Sequence, residues 1–226
     1  MKTFVVGDLH GDWAQLNKLI SRHRPSTILQ CGDFGWYPKL HGSYEMYFAG
    51  QKQKRWDQYG IKNNDCAVWW CDGNHEDHWS LNKLSHLEVM KNVFYMPRGT
   101  VLPLDEGRKA LFVGGARSVD RYRRTLGVDW FPEEEIDHSL LDKLPDEKID
   151  IVISHTCPKS FFDVGIDFYD FKGVEPSNYA LEYVLEKYEP EQWYFGHFHH
   201  HETGKYKNTN WTCLNMAGET NWWVEI

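Results

Sequence analysis

The chain has 226 residues, 41% of them hydrophobic and 26% charged, which is enough apolar material for a sizeable core and excludes a largely disordered protein. Lys and Arg total 25 against 33 Asp and Glu, so the formal charge is −8; that balance excludes a general binder of phosphate backbones, and no nucleic acid partner is expected. No apolar run reaches the length of a membrane span, the N-terminus lacks a signal-cleavage pattern, and the five cysteines lack CxxC spacing. A cytoplasmic chain with reduced, buried thiols and no membrane partner is the expectation.

Residues 3–7 (TFVVG) form a short β-branched run, and residues 13–23 place Leu16, Leu19 and Ile20 at helical spacing. Residues 26–31 (STILQC) repeat the strand signal, so 3–31 reads as a βαβ unit and implies parallel strands. A helix is expected over 44–58, then a third buried strand over 66–71 (CAVWWC). Short strands at 93–95, 100–104 and 109–113 are separated by Pro97, Gly99 and Gly107, which favours hairpins. Pro132 followed by acidic residues predicts a helix over 132–144. Residues 149–154 form a fourth buried strand, 177–188 a helix and 192–195 a strand, while 205–206 and 211–214 flank a turn at 208–210. With no repeat or linker, residues 1–226 read as a single α/β domain with mixed sheets.

Five of these strand ends carry polar residues: Gly7-Asp8-Leu9-His10-Gly11-Asp12, Gly32-Asp33, Gly73-Asn74-His75-Glu76, His155 and Gly196-His197-Phe198-His199. Ligand sites of α/β sheets collect at the carboxyl ends of strands, so residues distant in sequence can converge there. Carboxylate, imidazole and amide donors without a thiolate suit Mn, Fe, Zn, Co or Ni, and would be odd for a structural zinc. Taken singly, a Gly-Asp after a strand is an ordinary turn or cap; the five together point to a metal centre.

The set GDLHGD, GDFG, GNHE, SHTCP and GHFHH resembles the calcineurin-like metallophosphoesterase superfamily in order from Asp8 to His199, and GDLHG and GNHE are similar to its phosphoprotein phosphatase branch. The resemblance implies a four-layer α/β/β/α sandwich of two mixed sheets with a two-metal centre, manganese foremost. It assigns one divalent ion to Asp8, His10, Asp33 and His199 and the other to Asp33, Asn74, His155 and His197, with Asp33 bridging. Two cations about 3.5–4 Å apart need a shared anionic ligand, and they supply a hydroxide nucleophile for in-line attack on phosphorus. His75 is similar to the family's catalytic histidine, placed to protonate the leaving oxygen.

The second motif departs from the branch pattern GDxxDRG: here it reads Gly32-Asp33-Phe34-Gly35-Trp36-Tyr37-Pro38 and lacks both the Asp that supports the catalytic histidine and the phosphate-binding Arg. Glu76 or Asp72 is left as a possible partner for His75, and Arg117 or Arg121 as a phosphate contact, against the alternative of solvated arginines. Residues 161–171 read either as a loop over the site or as ordinary packing, and the aromatics Trp36, Tyr37, Tyr44, Tyr47 and Phe48 chiefly as core. The expected function is hydrolysis of a phosphoester by a dinuclear enzyme. Its substrate is a small molecule or nucleotide, as for a phosphomonoesterase or a phosphoprotein-phosphatase-like enzyme. A nucleotide or cyclic-nucleotide phosphodiesterase, a nuclease, or a metal-stabilised scaffold without activity are the alternatives.

Overall fold

Residues 2–38, 46–48, 51–53, 61–62, 65–164 and 174–226 are described by a computed structural model of the chain. The first βαβ unit forms as its pattern predicts: β1 (Thr3–Val6), α1 (Trp13–His23) and β2 (Thr27–Gln30). Asp12 caps α1 by accepting from the Gln15 amide at 3.2 Å, and Trp13, Leu16, Leu19 and Ile20 are its buried face. Two strands follow, β3 (Met46–Phe48) and β4 (Gln51–Gln53). They pair antiparallel with Phe48 opposite Gln51, so a hairpin stands inside the segment expected to be helical. Two residues separate the paired ends, and Gly50 among them disfavours a continuous helix. The rest of 44–58 lies outside the described residues.

The chain continues through β5 (Ala67–Trp70), α2 (His78–Leu81), β6 (Glu88–Met90), β7 (Val93–Tyr95), β8 (Thr100–Pro103) and β9 (Lys109–Val113). It ends with β10 (Ile151–Ser154), α3 (Lys159–Phe162), α4 (Pro176–Tyr188), β11 (Gln192–Phe195), β12 (Glu202–Tyr206), β13 (Thr209–Cys213) and β14 (Trp223–Glu225). In place of a helix over 132–144 there are two 3₁₀ pieces, Pro132–Glu134 and His138–Lys143. The cause is Arg98, whose guanidinium takes the carbonyls of Glu133, Glu134 and Glu135 at 2.8–3.1 Å and so removes the acceptors a continuous helix needs. The final hairpin turns at Lys207–Asn208, one residue earlier than expected.

Twelve of the strands make two mixed sheets, β14-β1-β2-β5-β7-β6 and β12-β13-β11-β10-β9-β8. In the first, β1, β2, β5 and β7 run parallel; in the second, β9, β10, β11 and β13 do. The period-2 alternation of each strand sorts its side chains into layers. Val5, Leu29 and Cys31 face Ala110, Phe112, Ile151 and Ile153 in the core between the sheets. Phe4, Val6, Ile28, Val68 and Trp70 pack outward against Leu16, Leu19 and Ile20 of α1, and Leu111, Val113, Val152, Trp193 and Phe195 pack against Ala180, Leu181 and Val184 of α4. The result is a four-layer α/β/β/α sandwich. All five cysteines are buried and free. Phe34, Trp36 and Tyr37 are buried, Phe34 and Trp36 in the α1-side core, with Phe34 stacked on Trp70 at 4.5 Å, so these aromatics are packing residues. Phe161 likewise lies in the α4-side core, whereas 165–173 lie outside the described residues. No helix among the described residues is long and apolar enough to cross a membrane.

Candidate metal centre

The parallel strands of both sheets deliver their carboxyl ends to one edge of the sandwich, and the polar motifs meet there. Backbone bonds stitch the first two motifs together. The amides of Leu9 and His10 donate to the Asp33 carbonyl at 3.1 and 2.7 Å, and Gly11 donates to Phe34 at 3.2 Å. Buried Gln30 adds a donor to the Gly7 carbonyl at 3.1 Å and a second to Gly32. The glycines that open the motifs make room for the carboxylates. A Cβ on Gly73 would overlap Asp33 Oδ1, and one on Gly196 would overlap Asp8 Oδ1. Gly32, at φ +88°, also brings its backbone against the His155 ring.

One group of donors comprises Asp8, His10, Asp33 and His199, with one ligand atom of each within 4.8 Å of the others. His199 Nε2 lies 3.1 Å from Asp8 Oδ2 and 2.8 Å from His10 Nε2, and His10 Nε2 lies 3.5 Å from Asp33 Oδ2. A second group converges on the other oxygen of Asp33. His155 Nε2 is 3.3 Å from Asp33 Oδ1 and 3.0 Å from Asn74 Oδ1, and the His155 and His197 rings are 4.9 Å apart.

The orientation of these donors is settled by what lies behind them. His155 Nδ1 is 2.8 Å from the Cys31 carbonyl, which accepts only, so Nδ1 carries a proton and Nε2 is the ring nitrogen that points inward. Ser118 Oγ donates to Glu134 Oε2 at 2.7 Å and therefore accepts from Asn74 Nδ2 at 3.2 Å, which turns Asn74 Oδ1 toward His155. Glu134 is fixed in turn by the Ser118 amide and Trp130 Nε1, at 2.6 and 3.2 Å. Nitrogen and oxygen ligand atoms thus crowd buried points where Asp8 and Asp33 are almost wholly inaccessible. Such a donor set fits divalent cations of the Mn, Fe or Zn kind.

The electrostatics agree. Burial opposes charge on His155, but Asp33 and Asp8 outweigh it and lift the imidazole to about 10, so the carboxylates hold on Nε2 a proton that a bound cation would displace. Burial also opposes ionisation of Asp33, yet His155, His75 and His10 hold its carboxyl well below the usual range. The backbone bears strain at the same place: His10, Asp33, His197 and His199 have φ between +46° and +69°. Non-glycine residues in the left-handed region cost on the order of 1 kcal/mol or more, and such residues cluster at functional sites.

His75 donates its amide to Asp33 Oδ1 at 2.8 Å, and its ring packs edge-on to His10 at 4.7 Å. Neither carboxylate left as its partner serves it. Glu76 accepts from the amides of Gly35 and Gly73 at 3.0 and 2.6 Å, and Asp72 pairs with Arg98 and Tyr95. Instead Arg124 donates to His75 Nε2 at 2.7 Å. Burial lowers His75 to about 4, so its imidazole is neutral and able to accept. Arg117 and Arg121 are partly exposed and share Glu135 at 3.5 and 3.6 Å, and among the described contacts neither touches the donor cluster. Sequence reasoning missed Arg124, Ser118 and Gln30. Arg124 follows Arg121 and Arg123 with nothing to single it out, whereas Gln30, a polar residue closing an apolar strand, did carry a signal.

A family model described as calcineurin-like phosphoesterase matches residues 1–201, and the chain belongs to that family. No curated protein sequence matches it significantly. Among solved structures it is similar to a Thermus thermophilus protein, TT1561, with TM-score 0.53 and 11% identity over 96% of this chain and 90% of that one. It is also similar to phosphopantetheinyl hydrolase of Mycobacterium tuberculosis, with TM-score 0.55 and 12% identity over 100% and 95% of the two chains. A 5'-nucleotidase described as putative, from Staphylococcus aureus, gives TM-score 0.51 and 15% identity over 96% of this chain and 49% of its own. At these identities the likeness is one of fold.

Proposed function

We propose that the chain is a dinuclear metal-dependent phosphoesterase. One divalent ion, manganese foremost, would be held by Asp8, His10, Asp33 and His199, and a second by Asp33, Asn74, His155 and His197. The observation that carries this reading is Asp33, whose two oxygens face the two groups of donors from between them. When bound, a cation pair supplies water activation and neutralises charge on the phosphoryl oxygens. The protein supplies the rest. Cys31 and Ser118 hold His155 and Asn74 with Nε2 and Oδ1 turned inward, a role that outer partners of metal ligands commonly fill. His75 stands beside Asp33 but outside both donor groups, where its Nε2, unprotonated while it accepts from Arg124, would take up a proton and pass it to the leaving oxygen.

Family membership supports ester hydrolysis, and the likeness of GDLHG and GNHE to the phosphoprotein phosphatase branch favours a phosphomonoester substrate. The acidic balance of the chain disfavours a nuclease. Elemental analysis combined with a panel of p-nitrophenyl mono- and diesters and nucleotides tests the reading. We expect close to two transition-metal equivalents per chain, hydrolysis abolished by chelation, and recovery with Mn²⁺. One equivalent or none, with no activity recovered on adding Mn²⁺, would contradict it.

A further inference from the structure

Arg124 is a nearly buried cation at the edge of the donor cluster. It is presented by a closed loop in which the Thr125 carbonyl accepts from the amides of Val128, Asp129 and Trp130 at 3.1–3.2 Å, and Trp130 is anchored on Glu134. A guanidinium has five N–H donors and no acceptor. Here its shortest aligned bond goes to a neutral atom, His75 Nε2, at 2.7 Å. The Asn74 carbonyl follows at 3.3 Å, and Asp120 Oδ1 lies 2.7 Å away without an aligned hydrogen bond. Its charge is paired with the Asp120 carboxylate, but its aligned N–H bonds end on neutral acceptors, His75 Nε2 and the carbonyls of Asn74 and Asp129, which an anionic oxygen would replace. His75 is tied through its amide to Asp33, so the guanidinium sits one residue removed from the donors on which a phosphoryl group would rest.

We propose that Arg124 is the phosphoryl-binding residue of this site, and that its N–H donors exchange His75 Nε2 for a non-bridging phosphoryl oxygen when substrate enters. The proposal rests on the phosphoesterase reading and narrows it: the favoured ligand is a terminal, dianionic phosphate. While Arg124 donates to Nε2, that atom cannot also face a leaving oxygen. Substrate binding removes the block, so the same contact that captures the phosphate frees His75. No proton moves in the exchange: one hydrogen bond is given up, another is made, and Nε2 is left with a bare lone pair, which would have to take up a proton, as from the attacking water, before passing one to the leaving oxygen. Arg117 and Arg121, nearer the glycine pair that follows β9, are turned to Glu135 instead.

The test is calorimetric titration of inorganic phosphate into the zinc-loaded protein and into Arg124→Ala and Arg124→Lys, with metal content and thermal midpoint measured alongside. Arg124→Ala should bind phosphate at least tenfold more weakly at unchanged metal stoichiometry, in line with the loss of a charge-assisted fork. Arg124→Lys keeps the charge but not the fork and should recover only part, and it carries the test alone if the alanine variant does not fold. KM for phosphomonoesters should rise more than KM for diesters. In ¹⁵N-histidine-labelled protein, phosphate should shift the His75 Nε2 resonance in the wild type. Phosphate affinity within twofold of wild type in the folded variants would overturn the binding role, and an unmoved Nε2 resonance would overturn the exchange. If the wild type hydrolyses esters while the variants bind phosphate equally well, this inference alone fails. If it binds phosphate through Arg124 but cleaves no ester, the phosphoesterase reading alone fails.

Discussion

Asp33 is the residue on which both donor groups depend. Its Oδ2 faces His10 at 3.5 Å and its Oδ1 faces His155 at 3.3 Å, whereas Asp8 contacts His199 at 3.1 Å in the first group. Asp33→Asn should therefore strip both ions, leaving well under one equivalent at micromolar metal, while Asp8→Asn should retain the second ion. Calorimetric metal titration of the two variants decides this; tight binding of two ions to Asp33→Asn would show that the residue does not bridge. The ligand types were legible in the sequence because each follows a strand-ending run and because only a narrow set of side chains can serve. Their supports were not. Ser118, Gln30 and Arg124 act through contacts between residues 23 to 49 positions apart, and no local pattern records such pairings.

Among the elements, α4 shows how a helix terminus is tuned by what covers it. Glu175 caps the helix in a capping box and accepts from the Arg117 amide at 2.8 Å. Burial raises its carboxyl from an ordinary value near 4.5 to about 7, with Glu135 and Glu134 adding to the rise and His155 and the Arg117 amide opposing it. A folded-state pKa above the unfolded one means that the folded state holds more protons, so this contribution to stability is full below 4.5 and is lost as the pH rises through 7. Glu175→Gln, which keeps an acceptor, should gain stability relative to wild type between about pH 5 and pH 8. Thermal midpoints at the two pH values measure it, and parallel curves would contradict it.

The elements also divide by how local their causes are. The helix α1 was readable because its cap, its apolar stripe and its end all lie within the segment. The segment 132–144 was not: acidic residues after Pro132 carry an ordinary helix-start signal, and Arg98, some 35 residues earlier, overrides it by drawing off three carbonyls. Edge strands of three residues, such as β6 and β14, are too short for alternation to show.

At the scale of the whole molecule, the two-sheet sandwich explains why five short motifs form one site. Parallel strands in both sheets end at the same edge, and apolar alternation forces each sheet to turn one face to the other. The parallel core followed from the βαβ pattern of residues 3–31, but the partition of strands into two sheets is a long-range pairing that periodicity leaves open. The central claim is that this edge holds two ions with Asp33 between them. Anomalous diffraction from manganese-soaked crystals measures that most directly. Two peaks about 3.5–4 Å apart, one beside Asp8, His10 and His199 and the other beside Asn74, His155 and His197, are the predicted result. A single peak, or two peaks that do not share Asp33, would contradict it.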